Sequence, residues 1–173
     1  MINLKKNFIV FIFSIFLLCS TSVVSAASFG NFNASDMNGN MVSQDIFSKA
    51  DLTMVNIWGT FCGPCIREMP ILAELSQEYA DKGVQILGIV IDATDNNGNV
   101  QQEPIAAANK ILANANAKYV NLVPSYGMLS NQLRMVMAIP TTTFVNKQGE
   151  IVGTTIVGSK DKESWIKIID SLR

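Results

Sequence analysis

Two cysteines, Cys62 and Cys65, stand three residues apart with Gly63 and Pro64 between them. An apolar run, Met54-Val55-Asn56-Ile57-Trp58, leads into the pair, and a helical pattern through Leu72, Leu75 and Tyr79 leads away. This order predicts a strand that feeds a turn, and a helix that opens with Cys62 among its first residues. A helix N-terminus offers unpaired N–H groups and the positive end of the helix dipole, which stabilise a thiolate and lower its pKa. The expectation is that Cys62 is a nucleophilic thiolate and Cys65 the thiol that resolves its mixed disulfides.

Three chemistries compete for such a pair. Zinc needs four ligands, and the chain has no histidine and one other cysteine, Cys19. No metal or cofactor is therefore expected, and Cys-His catalysis is excluded. A purely structural disulfide would close so short a loop that it stabilises little through chain entropy. A redox-active dithiol at a strand-to-helix turn suits the flanking pattern.

Length and composition then bound the rest. The chain has 173 residues, about one domain. Residues 1–26 read as a secretion signal: Lys5 and Lys6, an apolar block from Phe8 to Leu18, and Val24-Ser25-Ala26 before a cut at Ala27. The apolar block is short of the ~20 residues that span a membrane comfortably, and an uncleaved anchor is the alternative. Cys19 lies inside this segment, and the bulky Phe16-Leu17-Leu18 before it argues against lipid attachment there. The remaining 147 residues, 27–173, form one domain large enough to bury a core. They carry 11 basic and 14 acidic residues, with no basic stripe for nucleic acid.

Along that domain, alternation and the Asn38-Gly39 turn predict a hairpin of strands 29–34 and 40–43, then a helical turn over 44–50. Strand 53–58 follows, then a helix from Cys62 to about Asp81 that kinks at Pro70. Residues 84–91 read as a central strand covered on both faces and parallel to 53–58. A polar loop, 92–102, precedes a helix over 103–116 and a short strand over 119–122. Residues 124–134 read as a loop with room for a helix. Strand 141–146, a turn at Lys147-Gln148-Gly149, strand 150–157 and an amphipathic helix over 161–172 close the chain.

Trp58-Gly59-Thr60-Phe61-Cys62-Gly63-Pro64-Cys65, Pro70 five residues on, and Ile139-Pro140-Thr141 before a strand resemble thioredoxin-fold proteins. Asn56-Ile57-Trp58, Cys65-Ile66-Arg67-Glu68-Met69-Pro70, the signal-like start and the N-terminal hairpin are closer to the TlpA/ResA-like branch, extracytoplasmic thiol-disulfide oxidoreductases. The resemblance covers roughly residues 28–172. It implies an α/β, thioredoxin-like fold: a central mixed sheet flanked by helices, an N-terminal β-hairpin, and an inserted helix in the stretch 92–123.

The resemblance also implies roles. Pro140 would be a cis-proline that brings the backbone of Ile139 beside Cys62, where a substrate segment can pair as an added strand. A trans proline at a strand start is the alternative. Glu68 would accept the proton of Cys65, the more so because Asn56 stands where cytoplasmic thioredoxins carry a buried aspartate. Its alternative is a solvated acid in the first helical turn. Trp58 would shape substrate access, or else be a core aromatic. Met128, Met135 and Met137 could line a groove near Pro140 but more commonly such residues are core.

The implied activity is reduction of protein disulfides by a monomer outside the cytoplasm. The implied partners are a disulfide-bearing protein and a membrane thiol reductant of the CcdA or DsbD type. Candidate substrates are apocytochrome c, a methionine sulfoxide reductase and cell-envelope enzymes with vulnerable cysteines. One rival is a thiol peroxidase of the peroxiredoxin type, whose threonine three residues before the cysteine is Gly59 here. The other is a redox-inert module that binds or chaperones a partner.

Overall fold

The computed structural model describes residues 27–173; the segment 1–26, read as a secretion signal, lies outside them together with Cys19. Seven strands form one mixed sheet: β1 Asn33–Asp36, β2 Met41–Ser43, β3 Leu52–Trp58, β4 Val84–Val90, β5 Asn121–Val123, β6 Thr141–Asn146 and β7 Ile151–Val157. Their spatial order is β2-β1-β5-β4-β3-β6-β7. β3 and β4 are parallel, as are β4 and β5, while β6 and β7 run antiparallel beyond β3. β3 is buried along its whole length, which suits a sequence that is apolar or β-branched at every position but Asn56.

Among the described residues four α-helices accompany the sheet: α1 Gly63–Glu78, α2 Gln102–Asn114, α3 Tyr126–Ser130 and α4 Lys162–Leu172. Alternation along the strands separates two faces. On one face Met54, Ile86 and Phe144 meet Leu72 and Leu75 of α1 and Trp165 and Ile169 of α4. On the same face, nearer the strand ends, Trp58 and Val90 meet Met69 of α1 and Ala108 and Leu112 of α2. On the other face Val55, Ile57, Leu87 and Ile89 pack under Phe29, Phe32, Phe47 and Met128. Among the described residues no helix is long and apolar enough to cross a membrane.

Several boundaries differ from the sequence reading. The first strand is not 29–34 but Asn33–Asp36. Phe29 and Phe32 are instead aromatic anchors, each packed edge-to-face on Phe47 at 5.2 and 5.9 Å. Ahead of them the chain pairs at the far edge of the sheet, where Phe29 N–H donates to Gly149 O and Ser28 bridges Glu150. α1 stops at Glu78 rather than Asp81, followed by a 3-10 turn over Ala80–Lys82. Gly83 then takes a positive φ of 74°, which reverses the chain into β4. α1 is one helix through Pro70. The short strand expected over 119–122 is β5, Asn121–Val123, which enters the sheet between β4 and β1.

Candidate active site

β3 delivers the chain to a tight turn in which Gly59 O accepts the N–H of Cys62 at 3.1 Å. Cys62 is the N-cap of α1, in extended conformation, and its Sγ receives the N–H of Cys65 at 3.2 Å. Pro64 fits the first turn of the helix, where no backbone donor is needed. The 16-residue helix thus points its free N–H groups and positive dipole end at Cys62. The two cysteines form a disulfide, S–S 1.99 Å, Cα–Cα 5.3 Å. Both are largely buried, whereas the neighbouring Phe61 is 73% exposed.

The second wall of the site comes from the segment before β6. The Ile139–Pro140 peptide bond is cis. Ile139 O lies 3.7 Å from Cys62 Sγ across 77 residues of sequence. Thr141 Oγ1 donates to Ala138 O at 2.6 Å, and Gly158 N–H donates to Pro140 O at 2.8 Å, which hold this segment in place. The ring of Pro140 is buried, so the surface next to the sulfur belongs to the half-buried Ile139.

Glu68 is not a solvated first-turn acid: it is 2% exposed, beneath α4. Its Oε1 accepts the backbone N–H of Lys160 at 2.7 Å and the indole N–H of Trp165 at 2.8 Å, while Oε2 is buried without a partner. Burial pushes its carboxyl above the usual carboxylate range, outweighing the two hydrogen bonds that lower it. Glu68 follows Cys65 by one helical turn, on the same face. Tyr119 donates its hydroxyl to Met69 Sδ at 2.8 Å, and burial, then the nearby Glu68, raise its pKa.

Trp58 has no exposed surface. Its ring packs from below with Cys62, Cys65 and Met69, and its indole N–H donates to Asn121 Oδ1 of β5 at 2.9 Å. Asn121 in turn lies flat over Gly88, where a Cβ would come within 1.8 Å of its Oδ1. Asn56 is buried and donates to Thr142 Oγ1 at 3.0 Å, a link between β3 and β6. Met128 is core, but Met135 and Met137 are 74% and 89% exposed beside an open groove that Thr141, Thr155 and Val157 also line; neither cysteine lines it.

Sequence reasoning missed two residues of the site, Asp92 and Asn121. Asp92 follows β4 directly, and its carboxylate accepts the N–H of Thr60 at 3.1 and 3.2 Å and the Thr60 hydroxyl. The one sequence signal for Asn121 was Gly88 inside an otherwise apolar strand, a mark of close approach.

Comparison with known proteins agrees with this geometry. Residues 24–168 match the redoxin family model. The thiol-disulfide oxidoreductase ResA of Bacillus thuringiensis is 31% identical over 140 residues, spanning 77% of this chain and 69% of that protein. ResA of Halalkalibacterium halodurans is 31% identical over 144 residues, 80% and 73% of the two chains. A thioredoxin-family thiol:disulfide interchange protein from Chlorobium tepidum superposes with a TM-score of 0.69 at 20% identity, covering 86% of this chain and 97% of its own. A DsbF homologue from Corynebacterium diphtheriae gives 0.67 at 20% identity, covering 86% and 87%. The fold is thioredoxin-like.

Proposed function

The chain belongs to the redoxin family, among its ResA-type thiol-disulfide oxidoreductases, and from that premise we propose that it reduces protein disulfides outside the cytoplasm. Cys62 as a thiolate attacks a substrate disulfide; the Cys62–substrate bond forms and one substrate sulfur leaves as a thiolate. Cys65 loses its proton and attacks Cys62 Sγ, which releases the second substrate sulfur and leaves the Cys62–Cys65 disulfide. Two electrons pass to the substrate, and two protons make its thiols. Glu68 accepts the proton of Cys65. A membrane thiol reductant of the CcdA or DsbD type restores the dithiol.

The observation that carries this reading is the placement of Cys62 Sγ. It sits at the helix N-terminus, accepts the Cys65 N–H, and faces Ile139 O, where a substrate strand has a carbonyl to pair with. The lysines, apolar block and small residues of 1–26 support the extracytoplasmic location. Gly63-Pro64 between the cysteines, as in reducing thioredoxins, supports the direction. A monomer suffices, since every group named comes from one chain. Apocytochrome c and cell-envelope enzymes with vulnerable cysteines are fitting substrates.

Insulin reduction tests the activity: Cys62→Ser abolishes it, and survival of activity removes Cys62 from the mechanism. Cys65→Ser stalls on its client as a mixed disulfide, which identifies that client. Equilibration with glutathione tests the direction, because a strongly oxidising potential contradicts a reductase.

A further inference from the structure

The turn that carries Cys62 is fastened from a place the disulfide exchange itself does not use. Asp92 stands just beyond β4, in the 3-10 turn Ile91–Ala93, where the stretch 92–123 begins. Its two carboxylate oxygens take both donors of Thr60, the backbone N–H and the hydroxyl. Thr60 is the first of the two residues inside the turn that Gly59 O closes on Cys62 N–H. Charged acceptors make the stronger hydrogen bonds, and a half-buried site leaves little water to replace one.

Ile139 stands beside the same turn. A Cβ placed on Gly59 would lie 3.0 Å from the Phe61 ring, 3.1 Å from Ile139 Cδ1 and 3.4 Å from Asp92 Oδ1. Gly59 therefore leaves the space in which Phe61, the carboxylate and the residue whose carbonyl faces Cys62 Sγ come together. Asp92, the turn and Ile139 form one packed layer.

We propose that Asp92 is a positioning residue that sets the spacing between the Cys62 turn and Ile139, and so the fit of a polypeptide substrate. The proposal rests on the reading that Cys62 exchanges disulfides with a chain docked along Ile139. Asp92 acts before the mixed disulfide forms. Resolution by Cys65 runs within α1 and does not pass through Thr60.

The test compares two disulfides with the reduced full-length protein. One is a cysteine peptide closed as a mixed disulfide, which must dock beside Ile139; the other is a small aromatic disulfide, which need not. Removing a charged acceptor shared by two donors in Asp92→Ala should lower the peptide rate about tenfold more than the small-disulfide rate. Asp92→Asn, which keeps one acceptor oxygen, should recover most of that gap. Thr60→Ala removes the hydroxyl that donates to Asp92 and should reproduce part of the peptide-selective loss even if Asp92→Ala folds poorly. Equal losses on both disulfides, or none on either, overturn the proposal. A native protein that exchanges with the small disulfide but not the peptide overturns the docking reading, and this inference falls with it.

Discussion

The indole N–H of Trp165 donates to Glu68 Oε1 at 2.8 Å, joining the last helix to the first turns of α1 across 97 residues of sequence. The bond orients the carboxyl but satisfies only one oxygen. Oε2 stays buried and unpaired, so a charge at Glu68 is poorly compensated.

This fixes how stability should vary with pH. Because the Glu68 carboxyl is raised in the folded state, the folded protein holds, up to its folded pKa, a proton that the unfolded chain has lost above the ordinary value of 4.5. The stability that depends on the neutral carboxyl is complete below that value and is lost as pH rises through the folded pKa. Glu68→Gln keeps an acceptor for Trp165 and Lys160 and removes the charge. Urea unfolding should show the variant more stable than the native protein at neutral pH, with the difference shrinking towards pH 4.

The same substitution should separate stability from chemistry. General base catalysis commonly contributes 10²–10⁴-fold, so Glu68→Gln should slow resolution of the mixed disulfide by roughly two orders of magnitude or more. Quench-flow with alkylation would show the Cys62–substrate adduct accumulating while its formation rate stays near native. Resolution at native speed would leave Glu68 a purely structural group.

Gly88→Ala should be among the more damaging single-methyl changes in the chain. The added Cβ collides with Asn121 Oδ1 and, at 3.2 Å, crowds Trp58 Nε1. Overpacking of this kind typically costs about 1–3 kcal/mol. Asn121→Ala should cost a similar amount, roughly 1–3 kcal/mol, by stranding a buried indole N–H. Denaturant midpoints, with tryptophan fluorescence as the probe, would measure both.

Phe61 offers the opposite profile. Its exposure beside Cys62 means that Phe61→Ser should change stability by only about 0.5 kcal/mol or less. The loss should instead appear in kcat/KM for protein disulfides, because an exposed aromatic at a reactive centre supplies contact area to a partner. Unchanged insulin reduction by this variant would place the docking surface elsewhere.

The redox turn was legible because its information is local. Cys62, Gly63, Pro64 and Cys65 share one turn of chain, the preceding β3 reads as a buried run and the following α1 has a helical period. Ile139-Pro140-Thr141 was readable only through its resemblance to a family, since nothing near it in sequence names its partner. Asp92 was invisible and Asn121 marked only indirectly, by Gly88, because their roles lie in bonds to Thr60 and Trp58, 32 and 63 residues away. The first strand was misplaced for a related reason: Phe29 and Phe32 made 29–34 look like an edge strand, whereas both serve the core and the polar 33–36 makes the ladder.

The distance between Cys62 and its counterparts also orders events during synthesis. Ile139 follows it by 77 residues, and Trp165 follows its partner Glu68 by 97. At ~5–20 residues per second, a growing chain makes its dithiol roughly 4–15 s before Ile139 arrives. Throughout that interval the nucleophile is present without its docking edge or its oriented acid. Selective reactivity is therefore a property of the completed chain, and a truncated product would carry thiols with no means of choosing among disulfides.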